Sequence, residues 1–225
     1  MNIIKPYYII EDNIDGEDIL KKIERMGRTC YKSEDLITNE SAKEFVKKIM
    51  NLTHESVLEH YLFSVRFICD RGVSHELVRH RLASFSQEST RYCNYNKDKF
   101  NNQLTFIIPV WMDITETNNI LIDDVTFNTD IQSKIWLKSM CNAEYQYKQL
   151  IENNWQPQQA RSVLPNSLKT EIVMTANLRE WRLIFKLRTA NAAHPQMREL
   201  MRPLLDEIKL KIPIIFDDIN YNQED

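Results

Sequence analysis

Three arginines and a histidine lie within thirteen residues of the chain, in the stretch RHRLASFSQESTR at residues 79–91. Arg79, Arg81 and Arg91 each carry a planar guanidinium, the side chain best suited to bidentate recognition of phosphate and of base edges. Like charges this close repel one another unless an anion lies among them. The stretch therefore predicts a binding site for a ligand that carries phosphate groups.

The charge of the whole chain argues against a general binder of polyanions. The formal net charge is −3 over 225 residues, so phosphate must be bound by locally placed arginines and not by a global positive field. An RNA-binding protein would need a basic domain with stacking aromatics near the arginines, and a single pair, Phe85 and Tyr92, lies there. RNA binding remains an alternative that this composition disfavours.

Glycine is scarce, with three residues in the chain, Gly16, Gly27 and Gly72. A GxGxxG dinucleotide fingerprint needs three glycines within six residues, and a P-loop needs two before its lysine. Neither motif can be written with these positions. Any nucleotide must be bound without a glycine cradle.

The histidines near the motif do not have the spacing of a zinc site. His75 and His80 are five positions apart, and on a helix this directs the two rings about 140° away from each other. A helical zinc pair needs four positions. We therefore predict no metal.

Nucleophilic catalysis has little support either. Serines lie near His80, but no GxSxG elbow is present. Cys93 follows the motif, and position alone does not lower the pKa of a thiol. The cysteines, with no CxxC pair among them, are expected to be reduced and mostly buried: Cys30, Cys69, Cys93 and Cys141.

Hydrophobic periodicity predicts an α+β, helix-rich single domain over residues 1–225 with an antiparallel or mixed sheet. Strands are expected near 7–13, 62–70, 104–111 and 168–177, and helices over 16–31, 39–51, 74–83, 130–154, 177–188 and 194–211. A loop is expected over 84–103, and Pro203 should kink or restart the last helix. No apolar run approaches the roughly 20 residues that span a bilayer, so we expect a cytoplasmic protein.

The stretch at 79–91 resembles the signature RHRxxSxxxxSxR of the flavin-dependent thymidylate synthases, with agreement at all six specified positions. HESVLEH at 54–60 is similar to the family segment H-x-S/T-x-x-E-H. Three further family segments follow in order, ARSVLP at 160–165, NLR at 177–179 and LR at 187–188. The resemblance extends from about residue 50 to the C-terminal helix.

The resemblance implies an enzyme that methylates dUMP to dTMP. Methylenetetrahydrofolate would give the one-carbon unit, and FAD reduced by NADPH would give the hydride. The family assembles as a homotetramer whose flavin sites are shared between subunits, which would explain the missing glycine loop. The alternative from another class is a non-catalytic flavin- or nucleotide-binding protein that has kept the pocket.

The resemblance also implies roles for individual residues. Those matched to FAD are Ser56 (from a neighbouring subunit), Arg79, His80, Arg81, Gln87, Asn177 and Arg179, with His54 close to the flavin. Those matched to dUMP are Glu76, Leu77, Val78, Arg79, Gln87, Glu88, Ser89, Thr90, Arg91, Arg161 and Arg188. Arg188 matches the catalytic arginine that activates the uracil ring.

Arg182 and Leu183 are neighbours on the helix predicted over 177–188. Leu183 stands where members of the family commonly carry His or Asn near the flavin, so a contact there would be apolar. Arg182 is interpreted as a surface arginine paired with acids on its own helix, such as Glu180.

Overall fold

A computed structural model describes residues 1–121 and 130–221. The chain forms two compact units, each built from separate segments. Unit 1 consists of Met1–Tyr7, Phe67–Leu77 and Ser86–Ile172, and unit 2 consists of Tyr8–Arg66, Val78–Phe85 and Val173–Asp225. The prediction of one domain over residues 1–225 stays a prediction.

The described elements agree with the α+β class. The strands are β1 (Asn2–Ile4), β2 (Tyr7–Ile10), β3 (Leu62–Asp70), β4 (Ala83–Gln87), β5 (Thr105–Ile107) and β6 (Lys169–Asn177). The α-helices are α1 (Gly16–Tyr31), α2 (Ser41–Asn51), α3 (Arg71–Leu77), α4 (Ile131–Glu152), α5 (Pro157–Ala160), α6 (Leu178–Arg188) and α7 (Pro195–Lys211).

Both parallel and antiparallel pairing occur, as the expectation of an antiparallel or mixed sheet allowed. β1 pairs in parallel with β5, and the other four strands have the order β2-β3-β6-β4. β3 and β6 are antiparallel, because Leu178 N donates to Tyr61 O while the Ser64 and Thr175 hydroxyls lie 2.8 Å apart. α6 follows β6 directly, so the strand fixes where this helix begins.

Alternating side chains explain the central strands. On β6 the residues at every second position, from Thr170 to Ala176, are buried, and their neighbours are half-buried. β3 alternates in the same way as far as Phe67, after which Ile68 and Asp70 are buried as well. Both strands match their predicted ranges, because a half-buried strand imposes a period of two on its sequence.

The helix predicted over 74–83 is displaced. α3 begins at Arg71 because the Asp70 carboxylate accepts the Val73 N–H at 2.7 Å and caps the first turn. It ends at Leu77, so Val78–Leu82 form a turn and not the predicted end of a helix. Arg79, His80 and Arg81 therefore project from a turn.

The predicted loop over 84–103 is wrong at its start, where β4 occupies Ala83–Gln87. This strand lies at the edge of its sheet and carries no fully buried side chain, so it lacks the apolar alternation of β3. Its pairing with β6 continues into the following residue, where Glu88 N donates to Glu171 O at 2.8 Å. Backbone pairing, and not side-chain pattern, forms this strand.

Of the kink or restart predicted at Pro203, the restart does not occur, because α7 passes through this residue as one helix. Pro203 is exposed, whereas Met201, Leu204 and Leu205 are buried. The proline removes one backbone hydrogen bond, and the buried contacts of its neighbours hold the helix together.

Candidate active site

Arg188 and His80, which are 108 positions apart in sequence, meet in unit 2. The Nε of Arg188, at the last position of α6, donates to His80 Nε2 at 2.9 Å. Burial, reinforced by the nearby guanidinium of Arg188, lowers the pKa of His80 to about 4. The imidazole is therefore neutral at pH 7 and can accept this hydrogen bond.

The other ring nitrogen of His80 faces a buried carboxyl group. His80 Nδ1 lies 3.7 Å from Glu180 Oε1, and both side chains are almost fully buried. Because Nε2 accepts from Arg188, the single hydrogen of the neutral ring is on Nδ1. Burial raises the pKa of Glu180. Arg188, His80 and Glu180 thus form a chain of polar contacts that fixes the guanidinium through its Nε edge.

Arg79 and Arg81 flank His80 but point outward. His80 is buried, whereas both arginines are exposed. Successive side chains of an extended segment point in opposite directions. Within residues 1–121 and 130–221, neither guanidinium makes a hydrogen bond or an ion pair. Two cationic groups next to a buried histidine suit an anionic ligand.

A cavity of about 570 Å³ lies in unit 2 along α6. It is lined by Glu55, Glu59, Leu82, Asn177, Arg179, Glu180, Arg182, Leu183 and Lys186. Asn177 and Arg179 are both predicted FAD residues. Asn177 Oδ1 caps α6 by accepting Glu180 N at 2.8 Å, and Arg179 Nη1 lies 2.6 Å from Glu59 Oε1. Leu183 is 48% exposed on this wall, where it offers an apolar surface.

Arg182 is not a surface arginine, so that interpretation is wrong. It is 3% exposed, and its two terminal nitrogens contact the Asp218 carboxylate at 2.6 and 2.7 Å. Its Nε donates to Glu55 at 3.1 Å, and Nη1 also donates to Ile215 O. The hydrogen bonds from Arg182 lower the pKa of Asp218. This arginine joins α6 to the C-terminal segment.

His54 and Ser56 lie before β3 in unit 2 and are exposed. Ser56 belongs to the 3₁₀ helix Glu55–His60, and His54 precedes it. His54 Nδ1 is 3.0 Å from the Tyr31 hydroxyl. The predicted contact of Ser56 with FAD of a neighbouring subunit is not tested by a single chain.

The residues matched to dUMP lie in unit 1, apart from Val78, Arg79 and Arg188. Gln87 ends β4, and its Nε2 donates to Ser74 Oγ at 2.9 Å and to Thr170 Oγ1 at 3.2 Å. Glu76 and Leu77 belong to the last turn of α3, where Leu77 is fully buried and Glu76 is half-buried. Leu77 can therefore offer a ligand only its backbone.

The Glu88 carboxylate is held by the protein itself. Tyr95 Oη donates to Glu88 Oε1 at 2.8 Å, and Lys169 Nζ lies 3.0 Å from Glu88 Oε2 and 2.7 Å from Glu171 Oε1. Burial and the charge of Glu88 raise the pKa of Tyr95. The side chain of Glu88 fixes the start of the loop that follows β4.

The rest of the loop exposes Arg91 and carries the hydroxyl groups of Ser89, which is half-buried, and Thr90, which is buried. Tyr92 N and Cys93 N donate to Ser89 O at 3.1 and 2.9 Å, which closes a turn. Thr90 is buried, and Arg161 Nη1 lies 3.5 Å from its hydroxyl. Arg91 is exposed, with its guanidinium 5.3 Å from the centre of the Tyr92 ring.

Several residues of these networks were missed from the sequence. Thr170 occupies a buried position on the alternating strand β6, and a polar residue in such a position could have indicated an internal hydrogen bond. Ser74, Lys169 and Glu180 carried no comparable signal, because the partner that places each of them in these networks is not a sequence neighbour: Gln87, Glu88 and His80 respectively.

A metal-binding cluster and a membrane-spanning helix are both absent from residues 1–121 and 130–221. In this part of the chain no group of three or more His, Cys, Asp or Glu residues is placed to hold a metal ion. None of its helices is both long enough and apolar enough to cross a membrane.

Comparison with known proteins identifies relatives over most of the chain. The family model described as thymidylate synthase complementing protein matches residues 14–214. A flavin-dependent thymidylate synthase of Pyrococcus abyssi is 33% identical over 178 residues, which are 78% of this chain and 66% of that protein. One of Geobacter sulfurreducens is 34% identical over 199 residues, covering 85% of this chain and 78% of that protein.

Solved structures share the fold. Thymidylate synthase X from Helicobacter pylori, crystallised with FAD and dUMP, superposes with a TM-score of 0.71 at 24% identity, covering 95% of this chain and 98% of that one. A UMP/dUMP methylase from Streptomyces cacaoi bound with 5-Br UMP gives a TM-score of 0.72 at 16% identity, covering 96% and 95%.

Proposed function

The chain belongs to the flavin-dependent thymidylate synthase family, and we propose that it methylates dUMP to dTMP. Methylenetetrahydrofolate gives the one-carbon unit in this proposal, and NADPH reduces the bound FAD. The observation that carries the proposal is the contact between Arg188 and His80, because it joins two separate family segments at a buried, neutral histidine.

Arg188 is the proposed catalytic residue. Uracil C5 becomes a better nucleophile when negative charge builds on the N3–C4–O4 system, and a guanidinium stabilises that charge at any working pH. Its Nε is already engaged by His80 Nε2. We assign the base to the Nη edge of the guanidinium, which offers two parallel donors in one plane.

The dUMP phosphate is assigned to the loop that follows β4. Arg91 and Arg161 are exposed cations, and Ser89 adds a hydroxyl donor in the same unit. Charge-assisted hydrogen bonds from arginine to phosphate are short and strong. Glu88, held by Tyr95 and Lys169, keeps the loop in place and leaves phosphate binding to these residues.

The residues of unit 2 fit the flavin that we propose. The cavity along α6 combines the apolar Leu183 with Asn177 and Arg179, and Arg79 and Arg81 offer exposed cations for a diphosphate. Bound FAD would supply the hydride that turns the transferred carbon into a methyl group. The residues themselves bind and orient the cofactor, with no glycine cradle.

The remaining parts of the proposal rest on the family. We propose a homotetramer in which Ser56 completes the FAD site of a neighbouring subunit, a cytoplasmic location where dUMP, folate and NADPH occur together, and one domain over residues 1–225. The match of the family model to residues 14–214 supports the last of these.

The direct test is dTMP formation by purified protein supplied with dUMP, methylenetetrahydrofolate, NADPH and FAD, with each component omitted in turn. We expect dTMP only in the complete mixture, and faster NADPH oxidation when dUMP is present. Protein that binds FAD and dUMP but forms no dTMP would instead be a non-catalytic binding protein.

A further inference from the structure

The backbone immediately after Arg188 is held by a second arginine, Arg202 of α7. Arg202 Nε donates to Thr189 O at 3.1 Å, and its Nη2 donates to Asn191 Oδ1 at 2.8 Å. Thr189 directly follows the last residue of α6, and Asn191 lies in the turn that comes next. All four residues belong to unit 2. One guanidinium therefore spans the turn by which the chain leaves this helix.

The C-terminal end of a helix opens easily, because its last four carbonyl groups have no partner within the helix. At the end of α6, the backbone N–H and the hydroxyl of Thr189 both donate to Phe185 O, at 3.0 and 2.7 Å. Arg202 adds a hydrogen bond at the next carbonyl along the chain, and its positive charge lies at the negative end of the helix dipole. The last turn of α6 is thus held by a side chain of α7.

Arg202 is itself restrained by the C-terminal segment. The centre of the Tyr221 ring lies 4.9 Å from the guanidinium carbon, within the range of a cation–π contact. Tyr221 Oη donates to Asp206 Oδ2 at 2.5 Å, one turn further along α7. Burial, reinforced by this hydrogen bond, raises the pKa of Tyr221 to about 12, so the hydroxyl keeps its hydrogen. The ring of Tyr221 therefore fixes the guanidinium that closes the end of α6.

The side chain of Arg188 is restrained separately from its backbone. Its Nε donates to His80 Nε2 at 2.9 Å, but the Cα from which it extends lies on the last turn of α6. Groups that act on a substrate must be held to within about 0.5 Å of the productive geometry, and a displacement of about 1 Å can lower the rate by about 10²-fold. The place of this guanidinium therefore depends on how firmly the end of α6 is held.

We propose that Arg202 is a positioning residue for Arg188, which holds the last turn of α6 so that the Arg188 guanidinium keeps its place against the pyrimidine of the substrate. The inference deepens the proposed function and rests on it. Arg202 contacts the backbone after Arg188 and the side chain of Asn191. Its effect on the reaction passes through Arg188.

The experiment measures the rate of C5 hydrogen release from labelled dUMP, in the complete reaction mixture at saturating dUMP. Arg202→Met keeps an unbranched side chain but removes every donor. We expect release to slow by about tenfold to 10²-fold, while the Kd for dUMP changes by less than about threefold. Arg202→Lys keeps the charge and one donor for Thr189 O, so it should stay within about fivefold of the wild type.

The matched control is Lys211→Met on the same helix. Lys211 is also a partly exposed cation, and its partner Glu207 lies one turn away on α7 itself. We expect this variant to release the C5 hydrogen at the wild-type rate. A Lys211→Met variant as slow as Arg202→Met would overturn the proposal, because the loss would then follow from any change of charge on α7.

Combining substitutions separates positioning from a general structural role. Because Arg202 acts through Arg188, adding Arg202→Met to Arg188→Lys should slow release by less than about twofold. Effects that multiply in the double variant would overturn the proposal, since Arg202 would then act without Arg188. If Arg202→Met does not fold, Arg202→Gln takes its place in the same comparison, because it loses the charge and the paired contact but stays polar.

Amide hydrogen exchange gives a readout that does not depend on the reaction. In the FAD-loaded Arg202→Met variant, amides over 185–191 should exchange about tenfold faster than in the wild type, whereas those of α1 should not change. Unchanged exchange at the end of α6 would overturn the proposal. Failure of the wild-type protein to form dTMP would instead refute the proposed function, and it would do so whatever the exchange of these amides shows.

Discussion

His80 shows how burial sets the state of a single residue. Its ring is 6% exposed and accepts from Arg188, and its pKa is lowered to about 4 from the ordinary value of 6.5. The unfolded chain therefore binds more protons than the folded one between these two values. The groups that face this ring are the Arg188 guanidinium and the Glu180 carboxyl.

A pH dependence of stability follows from this shift. The contribution of His80 is fully present above pH 6.5 and is lost as the pH falls towards about 4. The total is on the order of 3 kcal/mol. Urea unfolding between pH 7.5 and 4.5 should show a steeper loss of stability for the wild type than for His80→Gln. Parallel curves for the two proteins would show that the histidine is not held neutral by the fold.

Residue roles were only partly predictable from the sequence. The family signature drew attention to Arg79, His80 and Arg81 together, but it could not say that the histidine turns inward and the arginines outward. Arg182 was misread because its partners, Glu55 and Asp218, are distant in sequence. Helical spacing identifies partners within one helix only.

At the scale of elements, an ion pair between Arg182 and Asp218 joins α6 to the C-terminal segment. Arg182 is buried and contacts Asp218, Glu55 and Ile215 O. Arg182→Leu leaves acidic partners without their cation, and we expect it to lower the free energy of unfolding by about 3 kcal/mol. Lys186→Leu, one turn further along α6 and 49% exposed, is the control and should change it by less than about 1 kcal/mol. Equal effects in a denaturant titration would contradict this role of the ion pair.

The start of α1 depends on the absence of a side chain at Gly16. A Cβ at this position would lie 2.2 Å from the backbone oxygen of Lys211, at the end of α7. Glycine to alanine in a helix ordinarily stabilises a protein by about 1 kcal/mol. Here we expect Gly16→Ala to destabilise it by about 1–3 kcal/mol, measured as a lower Tm, while Glu17→Ala in the same turn leaves the Tm nearly unchanged. An increase in Tm for Gly16→Ala would show that the two helix ends do not meet.

Elements with a strong apolar period were predicted within a few residues of their observed ends. α1 has its predicted range, and β3 and β6 differ from theirs by at most one residue, because buried side chains recur at 3.6 or 2 positions in them. β4 and the turn at Val78–Leu82 were not predicted. Their positions depend on pairing with β6 and on capping by Asp70, neither of which leaves a periodic pattern.

For the whole molecule, the residues proposed to bind the phosphates of FAD and of dUMP belong to different units. Arg79, Arg81, Asn177 and Arg179 lie in unit 2, whereas Ser89, Arg91 and Arg161 lie in unit 1. The α+β class was predicted correctly. The division into two compact units leaves no signal in the sequence, because a chain that alternates between them has no linker of distinctive composition.

The proposed homotetramer is tested through Ser56, which we propose completes the FAD site of a neighbouring subunit. Dilution that dissociates the oligomer should therefore release FAD, measured as rising flavin fluorescence alongside sedimentation velocity. Ser56→Ala should shift this release to higher protein concentration. A monomeric form that keeps FAD with unchanged affinity would refute the shared site.

The central claim, that Arg188 activates the uracil of dUMP, is tested most directly by release of the C5 hydrogen from labelled dUMP by Arg188→Lys. Lysine keeps the positive charge, but it lacks the planar, bidentate donors of the guanidinium and the Nε that donates to His80. We expect flavin to bind normally and NADPH oxidation without dUMP to persist, while C5 hydrogen release falls by about 10²-fold to 10³-fold. Release at the wild-type rate, with dTMP still formed, would contradict the account.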